Sequence, residues 1–197
     1  LQDNGGCAEG YGRKDNSGQR DNFVIKPFDK DSLQTKIWPP MQTRDGRWVR
    51  TGPRVMPGAE DTFVAYGRGW ANVSNTPFRG YKHDSYEGGI STPFIVHWPA
   101  GIAEERNGQV VDDPCHLIDV LPTLLDLTNT TYPQTLNGHE IQSLEGISLL
   151  PLLSGTQLER ETPICFEHHG NLALREGRWN IVSMYQPQQP RQWSLFD

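Results

Sequence analysis

The strongest constraint on the fold is a stretch that cannot build a core. Residues 13–62 are polar, are interrupted by Pro27, Pro39, Pro40, Pro53 and Pro57, and show almost no apolar periodicity. Proline removes an amide donor and is excluded from helix interiors, so repeated prolines keep such a run irregular. A structureless run of this length in a globular chain is a functional loop or a disordered one. Its tryptophan and proline clusters predict a loop pinned to something else. With 35% hydrophobic residues and a mean hydropathy of −0.63, the apolar material for a core has to come from the later residues.

From residue 63 to about 155 the pattern tightens. "TPFIVHWP" (Thr92 to Pro99) is a short apolar run bounded by prolines, which predicts a buried strand. "DVLPTLLDL" (Asp119 to Leu127) predicts a helix with Asp119 as N-cap and Pro122 in the first turn. Leu117, Val120, Leu121, Leu124 and Leu125 then line one face. "SLLPLLSG" (Ser148 to Gly155) repeats the design, with Ser148 as cap and Gly155 as terminator. Strand followed by helix is an α/β layer pattern. Beyond residue 160, "TPICFEHHG", "LALREGRWNIVSMY" and "QWSLFD" predict short strands, with Glu176-Gly177 as a hairpin signal. The expected division is an α/β part over residues 1–155 and a small antiparallel part over 156–197. Both ends of the chain read as cut.

A net charge of −6, with no basic run, argues against a nucleic-acid or anionic-membrane partner. No apolar stretch reaches the roughly 20 residues of a membrane-spanning helix. Cys7, Cys115 and Cys165 are odd in number and widely spaced, so they indicate neither a zinc knuckle nor a disulfide framework.

The chain opens on "LQDNGG". Asp3 and Asn4 are hard oxygen donors on a glycine turn, the ligand type that Ca²⁺ and Mg²⁺ prefer. An Asx turn is the plainer reading of an isolated Asp-Asn-Gly-Gly, and two ligands cannot by themselves hold an ion that takes about six oxygens. Lys82 stands in a glycine-flanked loop leading into the apolar run at Phe94, where a lysine can meet an anion as a compact charge or can simply be solvated. His83 is a candidate proton donor or a structural histidine. Glu87, before Gly88-Gly89, reads as a carboxylate that orients a turn. His168-His169 resembles a metal-binding pair, but neighbours on a strand point to opposite faces, which favours a structural or substrate-rim role.

In this order, "DNGG", "NTPFRGYKHDSYEGGISTPFIVHWPAGI" (residues 75–102), "DVLPTLLDL", "EHHGNLALREGRWNIV" and "WSLFD" resemble the later part of a type I sulfatase. The similarity is to the bacterial arylsulfatase group of the alkaline-phosphatase-like superfamily and runs over nearly the whole chain. It implies an α/β fold: part of a mixed β-sheet with flanking helices, then a small antiparallel β subdomain. It implies that Asp3 and Asn4 ligate a divalent cation, Ca²⁺ or Mg²⁺, and that Lys82 contacts the sulfate ester, a sulfated small molecule or carbohydrate. His83 follows that lysine in close relatives. The resemblance points to a periplasmic or extracellular setting, which the residues alone leave open. The chemistry is coherent, because a cation and a lysine beside the anionic oxygens offset the charge that makes a sulfate ester resist nucleophiles.

The nucleophile implied by the resemblance is a formylglycine made from Cys or Ser in a C/S-x-P-x-R motif, and no such motif occurs here. Cys7, Cys115 and Cys165 lack the proline and arginine. "NTPFR" has both, but Asn75 has no hydroxyl or thiol; "STPFI" has Ser91 but no arginine. The 197 residues are therefore expected to show no turnover alone, and self-association through exposed sheet edges is expected. A phosphodiesterase or phosphonate hydrolase of the same superfamily, and a non-catalytic binding piece, are the alternative readings.

Overall fold

The computed structural model describes residues 4–10, 12–17, 26–33 and 42–197. They fall into two compact units, one over residues 4–91 and one over residues 92–197.

Among its described residues the first unit has two α-helices, α1 (Gly67–Asn75) and α2 (Glu87–Ile90). Gly67, Ala71 and Asn75 are the buried residues of α1. Their spacing of four puts them on one face, and the small side chains let other backbone pack against it. Among the described residues, the proline-rich run 13–62 contains turns and two isolated bridges, Gln42 with Trp48 and Arg50 with Thr62, but no α-helix or strand. The run is cross-braced within itself. The Asn16 side chain donates to the Val49 carbonyl (2.8 Å) and accepts from the Thr51 amide (2.9 Å). The Thr51 hydroxyl donates to the Lys14 carbonyl at 2.6 Å, and Val49 is only 2% exposed. Polar side chains here replace the ladder hydrogen bonds that a proline-broken backbone cannot make.

The second unit contains α3 (Val120–Leu127), the short strands β1 (Thr135–Leu136) and β2 (His139–Glu140), and α4 (Leu150–Ser154). A four-stranded antiparallel sheet follows: β3 (Ile164–His168), β4 (Asn171–Glu176), β5 (Trp179–Ser183) and β6 (Ser194–Phe196), in chain order. The three stretches expected to be strands all pair, and Glu176 sits opposite Trp179 across the Gly177 turn. Ile164, Ala173 and Val182 are buried on the sheet, and Leu149 and Leu152 are buried around α4. Helices and antiparallel sheets together make this an α/β chain, as the sequence predicts.

Four local expectations are corrected. The run Thr92–Pro99 forms no strand: it has no ladder partner among the described residues, and Ile95 is 80% exposed. A strand exists only through its neighbour, which an apolar run cannot supply for itself. Asp119 is the N-cap residue of α3, as expected, but its side chain makes no capping bond to that helix. A 3₁₀ turn (Leu117–Asp119) precedes the helix, and a capping box closes it: the Asp119 carboxylate accepts from the His116 amide (2.7 Å), while the His116 ring accepts from the Ile118 amide (3.3 Å). The same carboxylate accepts from the Ile147 amide (2.9 Å) and pairs with Arg160, so it is fully buried. Burial holds the His116 ring below its ordinary pKa, consistent with a neutral ring that accepts a hydrogen bond. Asp119 and Thr123 take the inner side of α3, leaving Leu117, Leu121 and Leu124 exposed.

At α4 the N-cap is Leu149, and Ser148 accepts only a long bond (3.4 Å) from the Leu150 amide. The terminator is as expected, with Gly155 left-handed at φ 86°. Finally, the His168 and His169 rings do not diverge. The strand ends at His168, His169 turns with φ 51°, and the ring centroids come to 4.2 Å. Alternation of faces ends where the strand does.

Candidate active site

Within the first unit the Asn4-Gly5-Gly6 turn and the "YKHDSYEGG" loop are stitched together through their backbones. The Gly5 amide donates to the Gly89 carbonyl (2.9 Å), and the Lys82 amide donates to the Gly6 carbonyl (3.0 Å). The approach is close enough that a Cβ on Gly5 would lie 1.7 Å from the Gly88 carbonyl oxygen, so only glycine fits.

Asn75, at the end of α1, ties the two segments to the helix. Its side-chain oxygen accepts from the Gly6 amide (2.9 Å), and its NH₂ group donates to the Gly80 (2.9 Å) and Gly88 (2.7 Å) carbonyls. It is 9% exposed, and every part of the amide is used. Position 75, rejected above as a nucleophile, is the bracket of the site. The only sequence signal for this is an asparagine next to a turn rich in proline and glycine.

This stitching fixes the side chains on either side. Lys82 Nζ lies 3.9 Å from a carboxylate oxygen of Glu9, and His83 Nε2 lies 3.3 Å from the other. The Cys7 thiol donates to the same carboxylate at 3.1 Å. The Cys7 hydrogen bond, the His83 contact and the Lys82 charge hold the Glu9 carboxyl below its ordinary pKa. Burial, reinforced by Glu9, pushes the Cys7 thiol up, so it stays protonated and a donor. Lys82 and His83 are thus brought together, as neighbours around one carboxylate. Glu9 is a residue that sequence reasoning missed, since nothing local marks an acid 74 positions from its histidine. Glu87 starts α2 and accepts from the Ser91 hydroxyl, a turn-orienting role like the one expected.

Asp3 lies outside the described residues. Asn4 is half-buried, and its amide makes no hydrogen bond to another described residue. A half-buried amide oxygen without a donor, on a turn held at both glycines, is a hard ligand of the kind a divalent cation takes.

Residues 51–130, spanning α1, Lys82, His83 and α3, match the family model described as Sulfatase. That stretch of the chain is similar to the sulfatase family. The chain is 36% identical to the steryl-sulfatase of Mus musculus over 107 residues, 54% of this chain and 16% of that protein. It is 37% identical to an arylsulfatase of Klebsiella aerogenes over 93 residues, 47% of this chain and 19% of that protein. It is 26% identical to an uncharacterized sulfatase of Schizosaccharomyces pombe over 149 residues, 71% of this chain and 25% of that protein. The chain therefore spans a quarter or less of the length of these relatives. No helix among its described residues is long and apolar enough to cross a membrane.

Proposed function

We propose that this segment supplies the cation-holding and anion-holding part of the active site of a sulfuric ester hydrolase, within a longer protein that provides the formylglycine nucleophile. The observation that carries the reading is the bond from the Lys82 amide to the Gly6 carbonyl at 3.0 Å, which ties the lysine's backbone to the turn that follows Asn4.

In this reading Asp3 and Asn4 give two of the oxygen ligands of a Ca²⁺ or Mg²⁺ ion, and carboxylates elsewhere in the whole protein complete the set. Bound there, the ion would supply Lewis acidity toward the sulfate oxygens. Lys82 places its ammonium against the sulfate group from the other side. Glu9 lies 3.9 Å from the Lys82 ammonium, and a sulfate competes with it for that charge. His83, on the same carboxylate, is held where it can deliver a proton to the departing oxygen. The loop 13–62 forms part of the substrate rim, and the sheet β3–β6 is accessory to the active-site part. The substrate is a sulfated small molecule or carbohydrate.

The test uses the whole protein and an aryl sulfate. Lys82→Ala is expected to lower kcat/KM by about 10²–10³, the usual cost of removing one transition-state charge contact. Asn4→Ala is expected to raise the concentration of Ca²⁺ or Mg²⁺ needed to restore a chelated enzyme. Sulfate release by Lys82→Ala within about twofold of the unmodified protein would overturn the assignment.

A further inference from the structure

Beside the site just described lies an open cleft of about 580 Å³, lined by Ala8, Gly10, Arg13, Arg68, Trp70 and Val73. We propose that this cleft is the subsite for the leaving-group side of the substrate, shaped for a sugar ring that carries an anionic substituent of its own. The proposal rests on the sulfatase reading for the identity of the reaction, and on independent observations for the ligand.

The first observation is charge. In a chain of net charge −6, neither Arg13 nor Arg68 pairs with a carboxylate among the described residues. Arg13 spends one N–H on the Tyr66 carbonyl at 3.3 Å and keeps its remaining donors. Arg68 lies over the Tyr81 ring, 5.8 Å from its centroid, with Nε 3.5 Å from the phenol oxygen. Both guanidiniums are braced by neutral groups, so their charge is left for a ligand. A guanidinium suits a sulfate or carboxylate because its fork can donate two parallel hydrogen bonds.

The second observation is shape. Gly67 starts α1 with φ 76°, and a Cβ there would come within 2.4 Å of the Arg13 guanidinium. Glycine at that position is what lets Arg13 lie across the start of the helix. Trp70 is 63% exposed and has no hydrogen bond or ring partner among the described residues, so its rigid apolar face is open to stack on a ring. A cleft of this volume is the size of a small-molecule site.

The third observation is position. Ala8 and Gly10 flank Glu9, which faces Lys82 and His83. Tyr81, which braces Arg68, immediately precedes Lys82. The cleft lining thus adjoins, along the chain, both Glu9, which pairs with Lys82, and through Tyr81 the lysine itself, so a sulfate ester held at Lys82 has its remaining part directed at this face. A ring stacked on Trp70 would then present its second anionic group to Arg13 and Arg68.

The test measures, on the whole protein, binding of a disulfated disaccharide, a monosulfated disaccharide with a uronate, and their unsulfated neutral parent. It also measures the ratio of kcat/KM on the disulfated disaccharide to that on nitrophenyl sulfate. The two anionic probes are expected to bind about tenfold or more tightly than the neutral one. Arg13→Gln/Arg68→Gln should remove that preference and lower the kcat/KM ratio by a similar factor, with partial rescue by Arg68→Lys. Trp70→Ala should weaken both anionic probes, and Trp70→Phe should retain them. These side chains are exposed, and melting curves check that the variants fold. Equal binding of charged and neutral probes, or an unchanged ratio in the double arginine variant, overturns the proposal. Arginine-dependent binding in a protein that never releases sulfate would instead leave the subsite standing and remove the sulfatase reading.

Discussion

Replacing Asn75 by aspartate keeps the shape of the side chain and reverses one of its hydrogen-bonding roles. The native amide accepts from the Gly6 amide and donates to the Gly80 and Gly88 carbonyls, all between 2.7 and 2.9 Å. Asn75→Ala loses three bonds, each worth about 1 kcal/mol net, so the expected cost is about 3 kcal/mol. For a domain of this size that corresponds to a fall in Tm of about 6–12 °C. Asn75→Asp still accepts from Gly6, but its second oxygen now faces two carbonyl oxygens. An ionised carboxylate is disfavoured there, so its folded-state pKa is raised above the unfolded value. The sign follows from linkage. A raised carboxylate pKa means that the variant keeps its stability at low pH and loses it as pH rises through the folded pKa. Urea unfolding followed by tryptophan fluorescence at about pH 4 and pH 7.5 is the assay. The aspartate variant should be less stable than the alanine variant at the higher pH and should close much of that gap at the lower one. An aspartate variant as stable as the native protein at pH 7.5 would refute the bracket argument.

Two further outcomes follow from the same kind of accounting. Arg160→Met strands the fully buried Asp119 carboxylate with only its two amide donors, which is expected to cost about 3 kcal/mol in thermal unfolding, and adding Asp119→Asn should recover part of the loss. At the site, Glu9 titrates below the ordinary carboxyl range, chiefly through Cys7 and then His83 and Lys82. Its stabilising contribution is therefore present above the unfolded pKa and lost as pH falls through the folded one. Carbon-detected NMR titration should show the Glu9 carboxyl moving up toward its ordinary value in Cys7→Ala, and an unmoved titration would contradict the thiol's role.

Much of the fold was legible because it is local. The β4–β5 hairpin is announced by Glu176-Gly177, and α4 ends at a left-handed Gly155. Such turns need only the backbone freedom of one residue. The apolar run at Thr92–Pro99 misled for the opposite reason: its residues suit a strand, but a ladder needs a neighbour that the described chain does not offer. Asp119 was legible as a residue that matters at the start of α3, not as the partner of Ile147 and Arg160, because those contacts come from other segments.

For the site, the sequence alone determined which donors are present: a hard oxygen doublet on glycines, a lysine and a histidine before Glu-Gly-Gly, and no residue that could become a formylglycine. It also determined the sulfatase kinship of residues 51–130. The tertiary structure decided which of these meet. It put Lys82 and His83 on Glu9, and it made Asn75 the bracket between Gly6, Gly80 and Gly88. The bonds that do this join residues 69 and 74 positions apart. Hydrogen bonds over such separations leave no periodic trace in a sequence, because each depends on where two backbones are brought by everything packed between them.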